Sequence, residues 1–413
     1  MLIDPVCAAP EVTLADNPEI AGLALDGREL TIDWRFGGTD RFNLFWLRDN
    51  CPGPETGDKW TAVRRFSLAQ IDETLSARRL SVDAAGRLAV EWSTGGAVSH
   101  YEPAWLKAMS PARRRARTFE ADCTLWDGSW AEWPAVDFAA VEAGMTGHAD
   151  LLEAVARYGF ALVEGVPAAP EGTERLAAKV GYIRENDFGR VFDIVSEPDV
   201  WDLSQSDSAL DPHTDDPYRY NPPGISFLHC LEASGEGGGA SILVDGFKVC
   251  AALKQADPAA FQLLAETPVE FVRRRLDPVP QGADVHLVAR APVIALDSDG
   301  RQIGFRFHER SIGCLAVDPD RMDALYRALI ALTKLVTDPA FAKRRQLAPG
   351  QALVFDNQRV MHGRTGFEGA PGRRWMRITQ TDRDQFHSRL RLLRARLGRP
   401  GADAPLPAGA FFG

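Results

Sequence analysis

The chain has 413 residues, 45% hydrophobic and 25% charged, with a formal net charge of −10. These proportions belong to a folded globular protein and exclude intrinsic disorder and collagen-like structure. The acidic balance argues against non-specific nucleic-acid binding, and no apolar run approaches the ~20 residues of a membrane-spanning helix. The start MLIDPVCAAPEV has no basic segment leading into an apolar one, so the expectation is a soluble, cytoplasmic protein of two or three domains.

Residues 1–20 read as a loosely ordered leader. Residues 21–115 carry short strand-like runs (ELTIDWRF, DRFNLFWLRDN, AVSHYEPAWL) broken by Gly, Asp and Pro. RLSVD and RLAVEW flank Ala84-Ala85-Gly86 as the arms of a hairpin, so this region is expected to be a small all-β domain. The cluster Arg113–Arg117 reads as a solvated linker, and Trp126, Trp130 and Trp133 as a connector packed on a domain face. Six cysteines, at 7, 51, 123, 230, 250 and 314, form no CxxC pair and read as reduced thiols.

The second domain is expected over 116–400, with a tail at 401–413. HADLLEAVARYG places Leu151, Leu152, Val155 and Ala156 on one helix face, with Gly159 as the stop. FALVEGVP follows as a buried strand, and EGTERLAAKVGYI as a second helix. GISFLHCL, ASILVDGF and QALVFDN read as strands. Asp320 to Val336 is an amphipathic helix, and a last helix aligns Phe386, Leu390, Leu393 and Leu397. The fold class is α+β, mainly β.

Chemistry concentrates in DPHTDDPYRYNPPGISFLHC. His213 and Asp215 can point to one side of an extended strand, and His362 follows in LVFDNQRVMHGR. Two imidazoles and one carboxylate suit one face of an octahedral Fe(II), with three positions left open. An arginine-rich run, Arg373 to Arg377, could supply the fixed cation that a 2-oxo acid co-substrate needs. His100, His148, His286 and His387 read as structural, His229 as a buried core histidine, and His308 as undecided.

The spaced set HxD, PPG…LHC, GG…VDGF, FDN…HGR and SRLR, with FNLFWLRDNCP near the N-terminus, resembles the γ-butyrobetaine dioxygenase family. That family sits within the taurine dioxygenase-like Fe(II)/2-oxoglutarate oxygenases, and the likeness covers roughly residues 25–400. It implies a distorted double-stranded β-helix (jelly roll) with flanking helices, beside the small N-terminal β domain. It also implies iron on His213, Asp215 and His362, Arg374 on the 2-oxoglutarate C5 carboxylate, and the Ser241 hydroxyl close by. The implied reaction consumes 2-oxoglutarate and O2, releases succinate and CO2, and hydroxylates an unactivated C–H of a small polar metabolite. A homodimer is implied as well.

Two departures from the family pattern bear on function. Of the N-terminal zinc ligands only Cys51 and His100 remain, with Gly53 and Thr56 at the other positions, so no structural zinc is expected. The aromatic cage for a trimethylammonium group maps onto Phe188, Phe192, Gln205 and Gln380, and a substrate-carboxylate asparagine onto Asp202. Arg377 adds a cation expected near the pocket strand. These changes point to a substrate other than γ-butyrobetaine. One alternative is a true trimethylammonium hydroxylase whose cage uses Trp201, Tyr218 or Tyr220. Another is a β-helix metal protein without oxygenase chemistry, such as an isomerase, a hydrolase or a binding module.

Overall fold

A computed structural model describes residues 19–51, 67–112, 123–195, 208–233, 238–275, 284–366 and 374–402, and the backbone of short strands at 11–13, 57–58 and 63–64. The chain divides into two compact units, Met1–Thr118 and Phe119–Gly413.

In the first unit, Ile20–Asp26, Glu29–Trp34 and Thr39–Asn43 form one antiparallel sheet. Ala77–Val82, Leu88–Trp92 and Val98–Tyr101 belong to another. Alternate residues such as Leu30, Ile32, Leu80, Val90 and Trp92 are buried in a shared core. The hairpin forms where the sequence places it, with Gly86 at φ 79° and Asp83 accepting from the backbone of Ala85 and Arg87. Buried Asp40 accepts from Trp34 Nε1 at 2.7 Å and Ser110 Oγ at 2.6 Å, which satisfies the carboxylate internally.

This unit departs from a purely strand-built domain. LFWLRD is a helix, Leu44–Asp49, because the Asn43 side chain caps it and Leu44 and Leu47 recur at helical spacing. A second helix, Pro103–Met109, starts with proline at its first turn.

Among the described residues, ten strands in two main sheets build the body of the second unit. They are β1 (Ala135–Asp137), β2 (Phe160–Glu164), β3 (Phe192–Val195), β4 (Leu210–His213) and β5 (Ile225–Glu232). Then come β6 (Ser241–Asp245), β7 (Ala342–Arg345), β8 (Ala352–Asp356), β9 (Val360–Arg364) and β10 (Trp375–Thr381). The larger sheet has the order β1-β2-β8-β5-β10-β3 and the smaller β4-β9-β6-β7. All these pairings are antiparallel except β1 with β2. The two sheets share an inner core that includes Phe160, Leu228, Leu353 and Met376 from one and Leu243 and Val360 from the other. This is the jelly roll.

Helices α1 (Met145–Tyr158) and α2 (Pro170–Val180) cover the outer face of the larger sheet together with a C-terminal helix, Arg383–Leu397. Between them in the chain, α3 (Gly246–Ala256), α4 (Pro258–Glu266) and α5 (Pro319–Thr337) pack on Ile242, Val244 and Met361 of the smaller one. The unbroken apolar run of β5 follows from this layering. Ile225 and Phe227 face the helices while Leu228 and Cys230 face the inner core, so neither face meets water. Gly159 ends α1 in the left-handed conformation at φ 79°. Trp126, Trp130 and Trp133 all pack edge-on against Phe160, with ring centroids 5.1–6.2 Å away.

Candidate metal centre and cavity

The site grows from the pairing of β4 with β9, which sets His213 directly opposite His362. Gly363 makes that pairing possible, since a Cβ there would lie 2.5 Å from the Leu210 carbonyl oxygen. Asp215 lies in the loop after β4, and Asn357 clamps that loop. Its Oδ1 accepts from the Asp215 backbone at 2.7 Å, and its Nδ2 donates to the carbonyls of Asp215 and Pro223 at 3.1 and 3.2 Å. Gly224 in the PPG run passes so close to Arg383 that a Cβ would approach its backbone nitrogen to 2.2 Å. The FDN, PPG and HGR motifs thus place backbone around the site.

Ligand atoms of His213, Asp215 and His362 lie within 4.8 Å of one another. Asp215 Oδ1 is 3.6 Å from His213 Nε2 and 3.5 Å from His362 Nε2. His213 Nδ1 donates to the Asp211 carbonyl at 2.9 Å, which assigns the proton to Nδ1 and leaves the Nε2 lone pair facing Asp215. Burial pushes the His362 imidazolium down to a pKa of about 4. Burial alone would raise the Asp215 carboxyl, but the facing imidazoles of His362 and His213 outweigh it and hold the acid well below the usual range. Near neutral pH His362 is therefore a neutral imidazole and Asp215 an ionised carboxylate, the states in which each can bind a divalent cation.

The triad opens into a cavity of about 420 Å³. At one corner, buried Arg374 and Arg364 lie with Ser241, the β6 partner of Arg364. Burial, then the neighbouring Arg364, pushes the Arg374 guanidinium down to about 10, so it stays cationic near neutral pH. Two cations and a hydroxyl in a dry corner suit a carboxylate.

Phe188 and Phe192 line the cavity with ring centroids 4.9 Å apart. Gln380 lines it too, but its Nε2 donates to Asp215 Oδ2 at 2.9 Å. Arg377 does not reach the cavity. It lies on the opposite face of β10 from Arg374, Ile378 and Gln380, with Nε 3.0 Å from Asp193 Oδ1, because side chains alternate along a strand. Tyr218 is buried away from the cavity and bonded to Asp216, while Tyr220 is exposed and does not line the cavity either. Trp201, Asp202, Gln205, Gly53 and Thr56 lie outside the described residues. His100 pairs with Asp83 at 3.2 Å, and His229 is a buried core residue bonded to Thr173 at 2.9 Å.

Three residues in or behind the cavity wall escape a reading from sequence; of these only His308 lines the cavity itself. His308 stacks on His213 with ring centroids 4.4 Å apart, and burial pushes its imidazolium down to about 3. Arg273 lies over the Phe188 ring at 4.2 Å and donates to Tyr218 Oη at 2.8 Å. Arg219 pairs with both Asp187 and Asp216, and Asp216 holds a left-handed backbone at φ 49°. Only Asn357 and Arg364 carry a local signal, as members of FDN and HGR.

Residues 125–380 match the family described as "Taurine catabolism dioxygenase TauD, TfdA family", and residues 22–107 match "Gamma-butyrobetaine hydroxylase-like, N-terminal". The chain belongs to the TauD/TfdA dioxygenases, in the gamma-butyrobetaine hydroxylase-like branch. It is 34% identical over 379 residues to the gamma-butyrobetaine dioxygenase of Pseudomonas sp. strain AK-1, covering 91% of this chain and 96% of that one. The trimethyllysine dioxygenase of Meyerozyma guilliermondii is 31% identical over 392 residues, with the same two shares. The human gamma-butyrobetaine dioxygenase is 28% identical over 382 residues, covering 91% of this chain and 97% of that one. A crystal structure of a taurine dioxygenase from Burkholderia xenovorans matches at TM-score 0.42 and 17% identity, over 62% of this chain and 84% of that one. This TauD/TfdA dioxygenase uses Fe(II), 2-oxoglutarate and O2 to hydroxylate a small molecule. The isomerase, hydrolase and binding-module readings fall with that assignment.

Proposed function

We propose that His213, Asp215 and His362 hold the iron and that Arg374, assisted by Ser241, binds the C5 carboxylate of 2-oxoglutarate. We further propose a substrate that is a small polar metabolite without a trimethylammonium group. When bound, iron and the 2-oxo acid supply the oxidising power for an unactivated C–H. The chain supplies placement. The Asp211 carbonyl keeps the His213 proton on Nδ1, so that Nε2 remains a donor to metal. Arg374 and Ser241 orient the co-substrate from the far end, and Leu228 and Ile378 line the same cavity as apolar groups that exclude water.

The observation carrying the substrate reading is the Arg273 guanidinium 4.2 Å over Phe188. The protein's own cation already occupies one face of this ring, although Arg273 does not itself line the cavity, so a quaternary ammonium would have to share the ring with it. The other cavity phenylalanine, Phe192, packs against the first with the two ring planes inclined at 60°, and Gln380 is engaged by Asp215. A trimethylammonium substrate is the second reading, favoured by identity of 34% and 31% to gamma-butyrobetaine and trimethyllysine dioxygenases.

The test is O2-dependent succinate release with γ-butyrobetaine, trimethyllysine and a panel of non-quaternary amino acids and hydroxy acids. A panel member should outpace both quaternary amines by tenfold or more. Turnover of γ-butyrobetaine to carnitine at the panel's best rate overturns the substrate reading and leaves the iron site standing. We also propose a homodimer in the cytoplasm, without structural zinc, in which the described cysteines Cys51, Cys123, Cys230, Cys250 and Cys314 stay as the free thiols they form here.

A further inference from the structure

Asp215 has two oxygens, and they face different partners. Oδ1 lies 3.5–3.6 Å from both histidine Nε2 atoms, while Oδ2 accepts from the Gln380 side chain at 2.9 Å. The orientation of that amide is fixed from outside. Asn186 Oδ1 accepts from the Phe188 backbone N–H at 2.8 Å, so the Asn186 NH2 is the end left to face Gln380. It donates to Gln380 Oε1 at 3.4 Å, which leaves the Gln380 NH2 for Asp215. A backbone donor therefore sets the sense of a three-membered chain that ends on the carboxylate. The geometry is sheltered, because Gln380 is 8% exposed and its backbone is fixed in β10 between β5 and β3.

We infer that Gln380 is a positioning residue that makes Asp215 a one-oxygen ligand. A carboxylate free to turn could offer both oxygens to a metal and fill one of the positions that an oxygenase must leave open. With Oδ2 held by the amide, only Oδ1 is presented, and the octahedral site keeps three vacancies for co-substrate and oxygen. The inference rests on the iron-triad reading above. It also ties the metal carboxylate to Phe188, so the substrate wall and the metal share a tether.

The test measures Co(II) binding to the full-length protein, without turnover, by titration and by the intensity of the cobalt visible bands. Gln380→Met keeps the side-chain length and removes the donor. Its Co(II) Kd should rise about 10–100-fold, the usual effect of losing an outer-shell partner. The bands should change in position and intensity as the second oxygen of the freed carboxylate takes one of the positions otherwise left to solvent. Asn186→Ala, on the loop, should shift both readouts in the same direction by a smaller factor, with thermal melting unchanged. Two variants that fold normally and bind Co(II) within twofold of wild type, with unaltered bands, overturn the inference while wild type still outbinds Asp215→Ala. If wild type binds no better than Asp215→Ala, the triad reading fails and this inference with it.

Discussion

The cavity has two walls made on different principles. The metal wall is largely strand-built, with His213 and His362 paired across β4 and β9, Asp215 in the loop that follows β4, and Arg374 immediately before β10. Backbone hydrogen bonds and two packed faces set its geometry. The opposite wall, from Arg184 to Phe192, is largely loop, and charged side chains from elsewhere hold it: Arg219 on Asp187 and Arg273 on Phe188. A strand ladder fixes chemistry that has to stay constant. A wall held by ion pairs can change its ligand with a few substitutions, because no strand ladder fixes its backbone.

Four measurements can break or sharpen that contrast. The largest effect is expected on the metal wall, where His362→Ala should reduce iron-dependent succinate release to background, as judged against a metal-free control. Arg374→Ala should raise KM for 2-oxoglutarate about 100-fold, since removing one member of a buried charge pair costs about 2–5 kcal/mol. A change in the KM of the organic substrate instead would move Arg374 to the other wall.

The third concerns the backing of the metal wall. Burial, with nearby Arg377, pushes the imidazolium of His229 on β5 down to about 4, below its unfolded value near 6.5. Its contribution is therefore complete above pH 6.5 and is lost as pH falls toward 4, where the unfolded chain takes up the proton first. The loss should approach about 2–3 kcal/mol in denaturant melts, and His229→Leu should flatten that slope. The smallest effect falls on the loop wall. Arg273→Met should free the Phe188 face and tighten tetramethylammonium binding about 3–10-fold, read as competitive inhibition. No change would return the ring to the substrate and favour the quaternary-amine reading.

What could be read from sequence follows the same division. The Gly159 stop and the run ISFLHCL were legible because each depends on a single backbone conformation or on a strand buried on both faces. The HxD spacing picked residues that do come together, but Asp215 lies in the loop after β4 and not on a strand face, since β4 ends at His213. Arg377 shows strand alternation neglected. It is an odd number of positions from Arg374, so the two cannot share a face of β10, and the residue turns instead to Asp193. LFWLRD was hidden because a six-residue helix offers too few repeats to separate from a strand. Arg273, Asn186 and His308 reach the site from distant segments, and nothing in their immediate neighbours signals it.

The clamp made by Asn357 has a thermodynamic consequence. One fully buried amide joins the loop carrying Asp215 to the PPG turn, so the loop is ordered by the protein's own hydrogen bonds. Metal arriving there loses hydration water but has no chain to organise. Chelation should then leave secondary structure intact, and the melting temperature should track free metal by simple mass action, rising with the logarithm of its concentration.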